Sequence, residues 1–266
     1  VAMTVEEANA AVEDMLSGNR FGEAGSTVVI EEFMDGEEAS LLAFVDGKTV
    51  VPMIASQDHK RIFDGDKGPN TGGMGTYAPA PVLTDTLRDE AMKTILEPMV
   101  AAMEKEGMPY VGCLYAGLMI TSQGPKVVEF NARFGDPETQ VVLPLLDSDL
   151  GQIMMACATG TLTADMVKWK DSSAACVILA SKGYPETSSK GDVIHGDIKQ
   201  HDTTIVFHSG TKLIGDEYVT NGGRVLGVVG LGKDLRTALD RAYGRIEHID
   251  FEGMQYRTDI GAKAFK

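Results

Sequence analysis

The fold of this chain follows from one stretch, Lys126-Val127-Val128-Glu129-Phe130-Asn131-Ala132-Arg133-Phe134-Gly135-Asp136-Pro137-Glu138. It begins as a predicted β-strand, because valine and phenylalanine favour a pleated surface and the turn-forming residues 122–125 precede it. Successive residues of a strand point to opposite faces. We therefore expect one face to pack inward with three apolar side chains, Val128, Phe130 and Ala132.

The opposite face of this strand carries Glu129, Asn131 and Arg133, an acid, an amide and a guanidinium in a row. Two side-chain oxygens at this spacing suit a hard cation such as Mg²⁺, which takes a few protein oxygens plus water and substrate phosphates. The guanidinium suits a phosphate or acyl-phosphate oxygen. An edge strand with a solvated polar face would show the same pattern, and the stretch alone does not separate the two interpretations.

Composition and charge limit the function classes. With 266 residues, 43% hydrophobic and 24% charged, the chain is typical of a globular protein of one or two domains. The net charge of −15 argues against a nucleic-acid or anionic-membrane partner, but not against a nucleotide whose charge is met by a metal and a few local cations. No apolar run approaches the roughly 20 residues that span a bilayer, and no signal peptide is recognisable.

Three widely spaced cysteines, Cys113, Cys157 and Cys176, match no zinc or redox spacing. Their scarcity and apolar surroundings predict small core residues in a reducing cytoplasm. The chain starts at Val1 and runs directly into a helix pattern, from which we expect it to be the C-terminal part of a longer protein.

The first half of the chain predicts an antiparallel meander. A helix is expected over residues 4–17, with a capping box from Thr4 and Glu7. Strands are expected over residues 27–33, 38–45 and 48–55, the last two joined by a tight turn at Asp46 and Gly47. Residues 56–81 lack periodicity and predict a long loop, in which four glycines between Asp66 and Gly75 allow backbone amides to approach an anion. A mobile surface loop is the alternative.

The second half predicts a change of character near residue 170. Before it, helices are expected over residues 85–106, with a kink or break at Pro98, and over 149–158, capped by Ser148. A strand over residues 113–120 is expected to form a hairpin with the opening stretch. After residue 170, a small antiparallel sheet is expected from strands at 174–180, 193–195, 204–208, 218–220 and 224–231, followed by a helix over 234–246.

Several motifs together closely resemble the phosphoribosylamine–glycine ligase family of ATP-grasp ligases. They are Glu31 to Ser40, Ser56 to Arg61, Gly68 to Gly75, Glu129 to Glu138, Gly191 to Gly196, His208 to Thr211 and Asn221 to Leu226. The resemblance covers essentially the whole chain. It implies an α+β fold with an ATP-grasp core at residues 1–168, an antiparallel sheet with flanking helices, and a small C-terminal α+β domain at residues 169–266.

The resemblance implies ligation of glycine to 5-phosphoribosylamine with ATP and Mg²⁺ or Mn²⁺, in purine synthesis in the cytoplasm. By position, Glu129 and Asn131 would bind the metal, and Arg133, Asp136 and Lys60 would act in catalysis. The nucleotide would be bound by Glu31, Glu32, Phe33, Met34 and Glu38. The substrates would be bound by Asp58, His59, Gly72 and Gly73.

The chain departs from the family pattern at its front. The family has an N-terminal domain that helps to bind phosphoribosylamine and an upstream lid over the ATP phosphates, and neither is present in this sequence. We therefore expect this chain alone to bind ATP poorly and to catalyse little. Fusion of this domain to other purine-pathway enzymes stays open, as do two alternatives: another ATP-grasp carboxylate–amine ligase, and a non-catalytic binding or scaffolding module.

Overall fold

A computed structural model describes residues 1–18 and 22–265. The chain forms two compact units, residues 1–35 and residues 36–266. Its helices are α1 Val5–Leu16, α2 Asp85–Ala91, α3 Glu97–Lys105, α4 Thr139–Val142, α5 Leu150–Thr159 and α6 Leu235–Ile246. None of the helices in the described residues is long and apolar enough to cross a membrane.

The strands of the described residues all lie in the second unit. They are β1 Glu37–Asp46, β2 Val50–Pro52, β3 Gln57–Asp58, β4 Arg61–Phe63, β5 Lys67–Asn70, β6 Gly75–Ala78, β7 Val111–Thr121, β8 Gly124–Asn131, β9 Ser173–Ala180, β10 His195–Gly196, β11 Thr204–His208, β12 Thr211–Ile214, β13 Glu217–Thr220, β14 Arg224–Gly232 and β15 Ile249–Asp250.

The first unit contains the predicted N-terminal helix. The Thr4 hydroxyl accepts a hydrogen bond from the Glu7 backbone N–H at 3.1 Å, as the capping box requires, while the Glu7 carboxylate accepts from Met3 N–H at 2.8 Å. The strand predicted over residues 27–33 is wrong. A strand forms only where a second strand pairs with it, and no described strand pairs with these residues.

Two antiparallel sheets organise the second unit. The first has the strand order β2-β1-β7-β8, and the second has the order β11-β14-β9-β6-β3. The hairpin predicted at Asp46 and Gly47 is confirmed, because β1 and β2 pair across this turn. The second sheet combines strands from residues 57–78 with strands after residue 173, and the predicted domain boundary at residue 169 stays a prediction.

Three apolar layers hold the two sheets and their helices together. One face of the first sheet packs against the helical segment 85–105, through residues such as Leu41, Leu96 and Leu118. A central layer lies between the two sheets and includes Phe44, Ile153 and Ile178. The far face of the second sheet packs on α6. Successive apolar residues of β1 point to opposite faces, so that Leu41 packs in the layer beneath the 85–105 helices and Leu42 in the central layer. This alternation allows the first sheet to pack on both sides.

The three cysteines are buried free thiols, as the sequence predicts. Burial, with the neighbouring Cys157 thiol reinforcing it and Arg133 opposing it, raises the pKa of Cys113 to about 12. Burial also raises the pKa of Cys157 and of Cys176. These thiols are therefore core residues that stay protonated at neutral pH.

Some predicted elements differ in detail. The helix predicted over residues 85–106 is interrupted by a π-helical turn at Met92–Leu96, and Pro98 then lies in the first turn of α3, where a missing N–H is tolerated. The predicted cap of α5 is wrong: Asp149, not Ser148, accepts from Gln152 N–H. The Ser148 hydroxyl instead accepts from Lys168 N–H.

The loop predicted over residues 56–81 is wrong as a description of the backbone, because it contains the four short strands β3 to β6. Strand β6 pairs with β3 on one side and with β9 on the other. Strands β4 and β5 form a separate hairpin. This segment is therefore an ordered part of the second unit, because its first and last strands, β3 and β6, belong to the second sheet.

Candidate active site

Strand β8 places the two predicted metal ligands next to each other. The Asn131 side-chain amide donates to Glu129 Oε1 at 3.0 Å, so both groups lie on the same side of the strand, as predicted. Glu129 pairs with Gly117 of β7, and a side chain at Gly117 would come within 3.2 Å of Glu129 Cγ. A glycine at this register therefore leaves room for the Glu129 side chain.

The expected alternation along β8 is broken by a β-bulge. Gly117 pairs with Glu129, but the next residue of β7, Leu118, pairs with Val127, so Val128 is the extra residue. Val127 and Phe130 pack on the layer beneath α2 and α3, whereas Val128 is exposed. The prediction that Val128 packs inward is wrong, because the bulge turns it outward.

Arg133 lies beyond the end of β8 and is exposed. Its guanidinium donates to the Phe134 carbonyl at 3.0 Å. Because the strand ends at Asn131, the strand alternation that would place Arg133 beside Glu129 no longer applies. The same is true of Ala132, which is exposed rather than packed inward.

A narrow pocket brings together residues that are far apart in the sequence. Its lining contains Glu38 and Ser40 of β1, Asp58 and Lys60 of the β3 region, Tyr115 and Gly117 of β7, and Glu129 of β8. The backbone at Glu38 is fixed by Gln57, whose side-chain amide donates to the Glu38 carbonyl at 3.0 Å. Of the predicted site residues, Glu38, Asp58, Lys60 and Glu129 therefore surround one pocket.

Asp58 and Lys60 form an ion pair in this pocket, with 3.0 Å between Asp58 Oδ2 and Lys60 Nζ. The Asp58 side chain is 4% exposed and that of Lys60 is 37% exposed, so the carboxylate is buried behind the ammonium group. Burial, reinforced by the Glu138 carboxylate and opposed by Lys60, raises the pKa of Asp58 to about 7. Burial lowers the pKa of Lys60, but the carboxylates of Asp58, Glu138 and Glu38 together outweigh burial and raise it.

The structure does not bring His59 to the pocket. Its ring is 1% exposed, with Nδ1 at 3.2 Å from the Gly75 carbonyl and Nε2 accepting from Gly261 N–H at 3.4 Å. Burial and the positive charges of Arg257 and Lys263 lower the pKa of His59 to about 4. A neutral imidazole here connects the β3 region to the C-terminal segment, and its predicted role in substrate binding stays a prediction.

The glycine-rich segment packs directly on the Asp58 side chain. Gly73 has a φ of 112°, and a side chain there would come within 2.5 Å of Pro137 Cδ and 2.8 Å of Asp58 Oδ1. Only glycine therefore allows residues 72–73 to approach both the Asp58 carboxylate and the loop that follows β8.

Arg224 of β14 joins the glycine-rich segment to Asp136. Its guanidinium donates to the carbonyls of Gly72 at 2.7 Å and Asp136 at 2.8 Å, and to Asp136 Oδ2 at 3.0 Å. The carboxylate of Asp136 also accepts from the Gln140 amide at 2.8 Å. Asp136, predicted to be catalytic, is therefore engaged by Arg224 and Gln140, and its catalytic role stays a prediction.

Sequence reasoning missed Arg224 and Glu138 as site residues. Both lie inside motifs that carry the family resemblance, but neither stands at a spacing that reveals its partner. Glu138 is 2% exposed, and its Oε1 accepts from the Tyr115 hydroxyl at 2.8 Å and the Ser40 hydroxyl at 3.1 Å. Burial, reinforced by Glu138, raises the pKa of Tyr115, so this phenol stays protonated and remains a donor.

The predicted nucleotide-binding residues 31–34 belong to the first unit and form neither helix nor strand. Glu31, Glu32 and Phe33 are exposed and Met34 is half-buried. Their backbone groups are not part of a sheet, so hydrogen bonding of this segment to a purine edge stays a prediction.

Comparison with known proteins identifies two matched regions of the chain. Residues 1–139 match the family model described as "Phosphoribosylglycinamide synthetase, ATP-grasp (A) domain", and residues 174–263 match its C domain. Relatives named phosphoribosylamine–glycine ligase are 55% identical in Caulobacter vibrioides and 53% identical in Neisseria meningitidis, over 97% and 99% of this chain. The chain spans 61% and 63% of the length of these two relatives.

Solved structures show the same fold. A phosphoribosylamine–glycine ligase from Thermotoga maritima superposes with a TM-score of 0.82 at 34% identity, over 96% of this chain and 64% of that one. The biotin carboxylase domain of Hydrogenobacter thermophilus 2-oxoglutarate carboxylase, in complex with MgADP and bicarbonate, gives a TM-score of 0.69 at 14% identity, over 94% of this chain and 54% of that one. The second similarity establishes the ATP-grasp fold alone.

Proposed function

The chain belongs to the phosphoribosylglycinamide synthetase family, and we propose on this premise that its pocket serves the ATP-dependent ligation of glycine to 5-phosphoribosylamine. The observation that carries the proposal is the convergence of Glu129, Asp58 and Lys60 on one pocket. The products would be glycinamide ribonucleotide, ADP and phosphate, in purine synthesis. We assign the activity to the cytoplasm as part of the same proposal.

The residues present fit a divalent cation bound together with a nucleotide. Glu129 offers carboxylate oxygens and Asn131 an amide oxygen on the same side of β8, and exchanging the two ends of the amide would bring that oxygen beside the Glu129 carboxylate, where both could bind one cation. No group of three or more His, Cys, Asp or Glu side chains that could hold a metal by itself exists among the described residues. A cation here would therefore need phosphate or water oxygens, as Mg²⁺ and Mn²⁺ on a nucleotide do. When bound, it would neutralise phosphate charge.

The nucleotide would lie beside this pair. We propose that the backbone at Glu31, Glu32, Phe33 and Met34 receives the adenine, and that the Glu38 carboxylate accepts from the ribose hydroxyls. Glu38 and Glu129 line the same narrow pocket, which supports neighbouring contacts to the ribose and to the metal. The Hydrogenobacter relative in complex with MgADP provides a precedent for this class of ligand on the same fold.

The chemistry needs two displacements. A glycine carboxylate oxygen would attack the γ-phosphorus of ATP, forming a P–O bond and releasing ADP. The amine nitrogen of phosphoribosylamine would then attack the carbonyl carbon of glycyl phosphate, forming a C–N bond, breaking the C–O bond to phosphate and losing a proton. Positioning and charge neutralisation are the main needs of the phosphoryl step, which suits cations such as Lys60 and Arg133.

The substrates would meet at the Asp58 side of the pocket. Lys60 is the cation that this pocket offers to a carboxylate or phosphate, and the backbone of Gly72 and Gly73 lies against Asp58. The relatives extend well beyond the matched region, and we propose that full activity needs those further segments, which would add contacts to phosphoribosylamine and to the ATP phosphates. The low activity expected of this chain alone remains part of that proposal.

Titration calorimetry with ATP and Mg²⁺ tests the proposal, with Glu129→Gln as the variant and Glu106→Gln, on the surface after α3, as the matched control. Saturable binding that depends on the metal, is lost in Glu129→Gln and is kept in Glu106→Gln would support the assignment. Binding that is equally strong in Glu129→Gln would contradict it. Release of ADP that requires both glycine and phosphoribosylamine, measured on a chain extended by the further segments of the relatives, distinguishes ligation from simple nucleotide binding.

A further inference from the structure

Glu138 has no assigned role, yet it is the most deeply buried carboxylate beside the pocket. It is 2% exposed and follows directly on the loop that links β8 to α4. A buried carboxylate is stable only where hydrogen bonds or opposite charges compensate its lost hydration. Here the compensation comes from two hydroxyl donors, Tyr115 and Ser40, which meet at a single carboxylate oxygen.

The two donors are themselves fixed. Ser40 and Tyr115 lie on the adjacent strands β1 and β7, and their oxygens are 2.9 Å apart, so the two hydroxyls contact each other as well as Glu138. The segment that carries Glu138 is tightly packed as well, because a side chain at Gly135 would collide with the Glu138 carboxylate. The carboxylate therefore has one defined position.

The charge of Glu138 acts on the Asp58–Lys60 pair. The carboxylates of Asp58, Glu138 and Glu38, in decreasing order of effect, favour the charged form of Lys60. Glu138 also disfavours the charged form of Asp58. Ser40 and Tyr115, which donate to Glu138, line the same pocket as Asp58 and Lys60, so Glu138 lies directly behind the wall of that pocket. The Glu38 and Glu129 carboxylates line the pocket as well.

We propose that Glu138 is a positioning residue, whose buried negative charge, fixed by Ser40 and Tyr115, holds the Lys60 ammonium group against Asp58 in the substrate pocket. Glu138 touches no substrate in this arrangement and acts through Lys60. The inference deepens the proposed function and rests on it for its catalytic meaning, whereas the contacts among these residues do not depend on it.

The reactivity of Lys60 measures this effect without any turnover. Competitive labelling with acetic anhydride, read by mass spectrometry of the peptide that contains Lys60, reports the fraction of free amine at each pH. Lys48, whose side chain is 81% exposed, serves as the internal reference in every sample. Because labelling needs no glycine or ATP, a failure of the proposed ligation would leave this result interpretable.

Glu138→Gln removes the charge and keeps an oxygen that can accept from Tyr115 and Ser40. We expect the labelling of Lys60 at neutral pH, relative to Lys48, to rise by about threefold or more, since loss of a nearby negative charge favours the free amine. Asp58→Asn should raise it further, and the surface variant Glu106→Gln should leave it unchanged. An unchanged rate in Glu138→Gln would overturn the proposal.

A second variant separates charge from packing. Glu138→Asp keeps the negative charge but moves it back by the length of one methylene group. We therefore expect it to raise the labelling rate of Lys60 less than Glu138→Gln does, even where both variants lose thermal stability. If the two variants raise the rate equally, the effect comes from loosened packing and the proposal fails. A profile of labelling against pH that shifts only in Glu138→Gln would support a charge effect.

Discussion

Arg224 and Asp136 form an ion pair, with 3.0 Å between Nη2 and Oδ2, that connects the start of β14 to the loop after β8. The same guanidinium donates to the carbonyl of Gly72, so one side chain joins three segments around the candidate site. The ion pair itself contributes little, because Asp136 is half-exposed. The hydrogen bonds to two backbone carbonyls are the stronger link, since their geometry needs the planar fork of an arginine.

Arg224→Lys should therefore lower the free energy of unfolding by about 1–2 kcal/mol, because an ammonium group cannot reach both carbonyls and Asp136 at once. Urea denaturation measures the change. Arg236→Lys is the matched control, since Arg236 lies exposed over the Phe265 ring and contacts neither loop. Equal stability of the two variants would show that the Arg224 contacts are not maintained in solution.

The raised pKa of Asp58 predicts that the free energy of unfolding depends on pH. Its pKa in the folded chain is about 7, above its ordinary value of 3.8, so between these pH values the folded state retains a proton that the unfolded state has lost. The stability that this group contributes is complete below about pH 4 and is lost as the pH rises through 7.

Asp58→Asn removes this titration. We expect the variant to match the wild type in free energy of unfolding near pH 4 and to exceed it at pH 8, in urea melts at several pH values. Asp240→Asn, on the exposed face of α6, should show no such difference. If the free energy of unfolding of Asp58→Asn, relative to the wild type, fell from pH 4 to pH 8, this would contradict a raised pKa of Asp58.

Gly73→Ala should destabilise the site and the fold together. The new methyl group would meet Pro137 and the Asp58 carboxylate in a backbone conformation that L-residues rarely adopt, so a loss of about 1–3 kcal/mol is expected. Gly244→Ala is the matched control. Gly244 lies inside α6 with open space around it, and alanine there should stabilise by about 0.5–1 kcal/mol. Thermal melting of both variants checks the opposite signs.

We expect the loss of the Arg257 side chain to affect one region most strongly, the β4–β5 hairpin. This residue is 1% exposed and donates to both oxygens of Asp259 and to Asp66, which ties the β4–β5 hairpin to the C-terminal segment. Arg257→Met would leave Asp66 with only its Lys263 ion pair and Asp259 with the Gly65 N–H, and should lower the free energy of unfolding by about 2–3 kcal/mol. Hydrogen exchange should accelerate in residues 61–70. The surface variant Arg88→Met should leave that exchange unchanged.

Local sequence patterns predicted those elements whose partners are close in the chain. The Asp46–Gly47 turn joins adjacent strands, and the Asp234 cap of α6 lies three residues from Thr237, whose N–H it accepts. The metal pair is likewise local, since Glu129 and Asn131 are two residues apart on β8. These features depend on spacing, turn chemistry and capping, which a single sequence shows directly.

Features that depend on distant partners could not be predicted in this way. Strands β3 and β6 are too short for a periodic pattern and exist because β9 pairs with β6. The bulge at Val128 depends on the register against β7. Asp58 and Glu138 were recognisable as polar residues, but their burial at and behind one pocket, and therefore the raised pKa of Asp58, requires the packing of both sheets.

The position of β6 between β3 and β9 has a consequence for synthesis of the chain. Gly75 pairs with Val177, about 100 residues later, so the site-bearing segment lacks its sheet until the ribosome has made the C-terminal half. At about 5–20 residues per second, that delay lasts about 5–20 s. During this interval the segment that carries Asp58 and Lys60 lacks its pairing with β9, and the order of translation, rather than local preference, determines when the site first assembles.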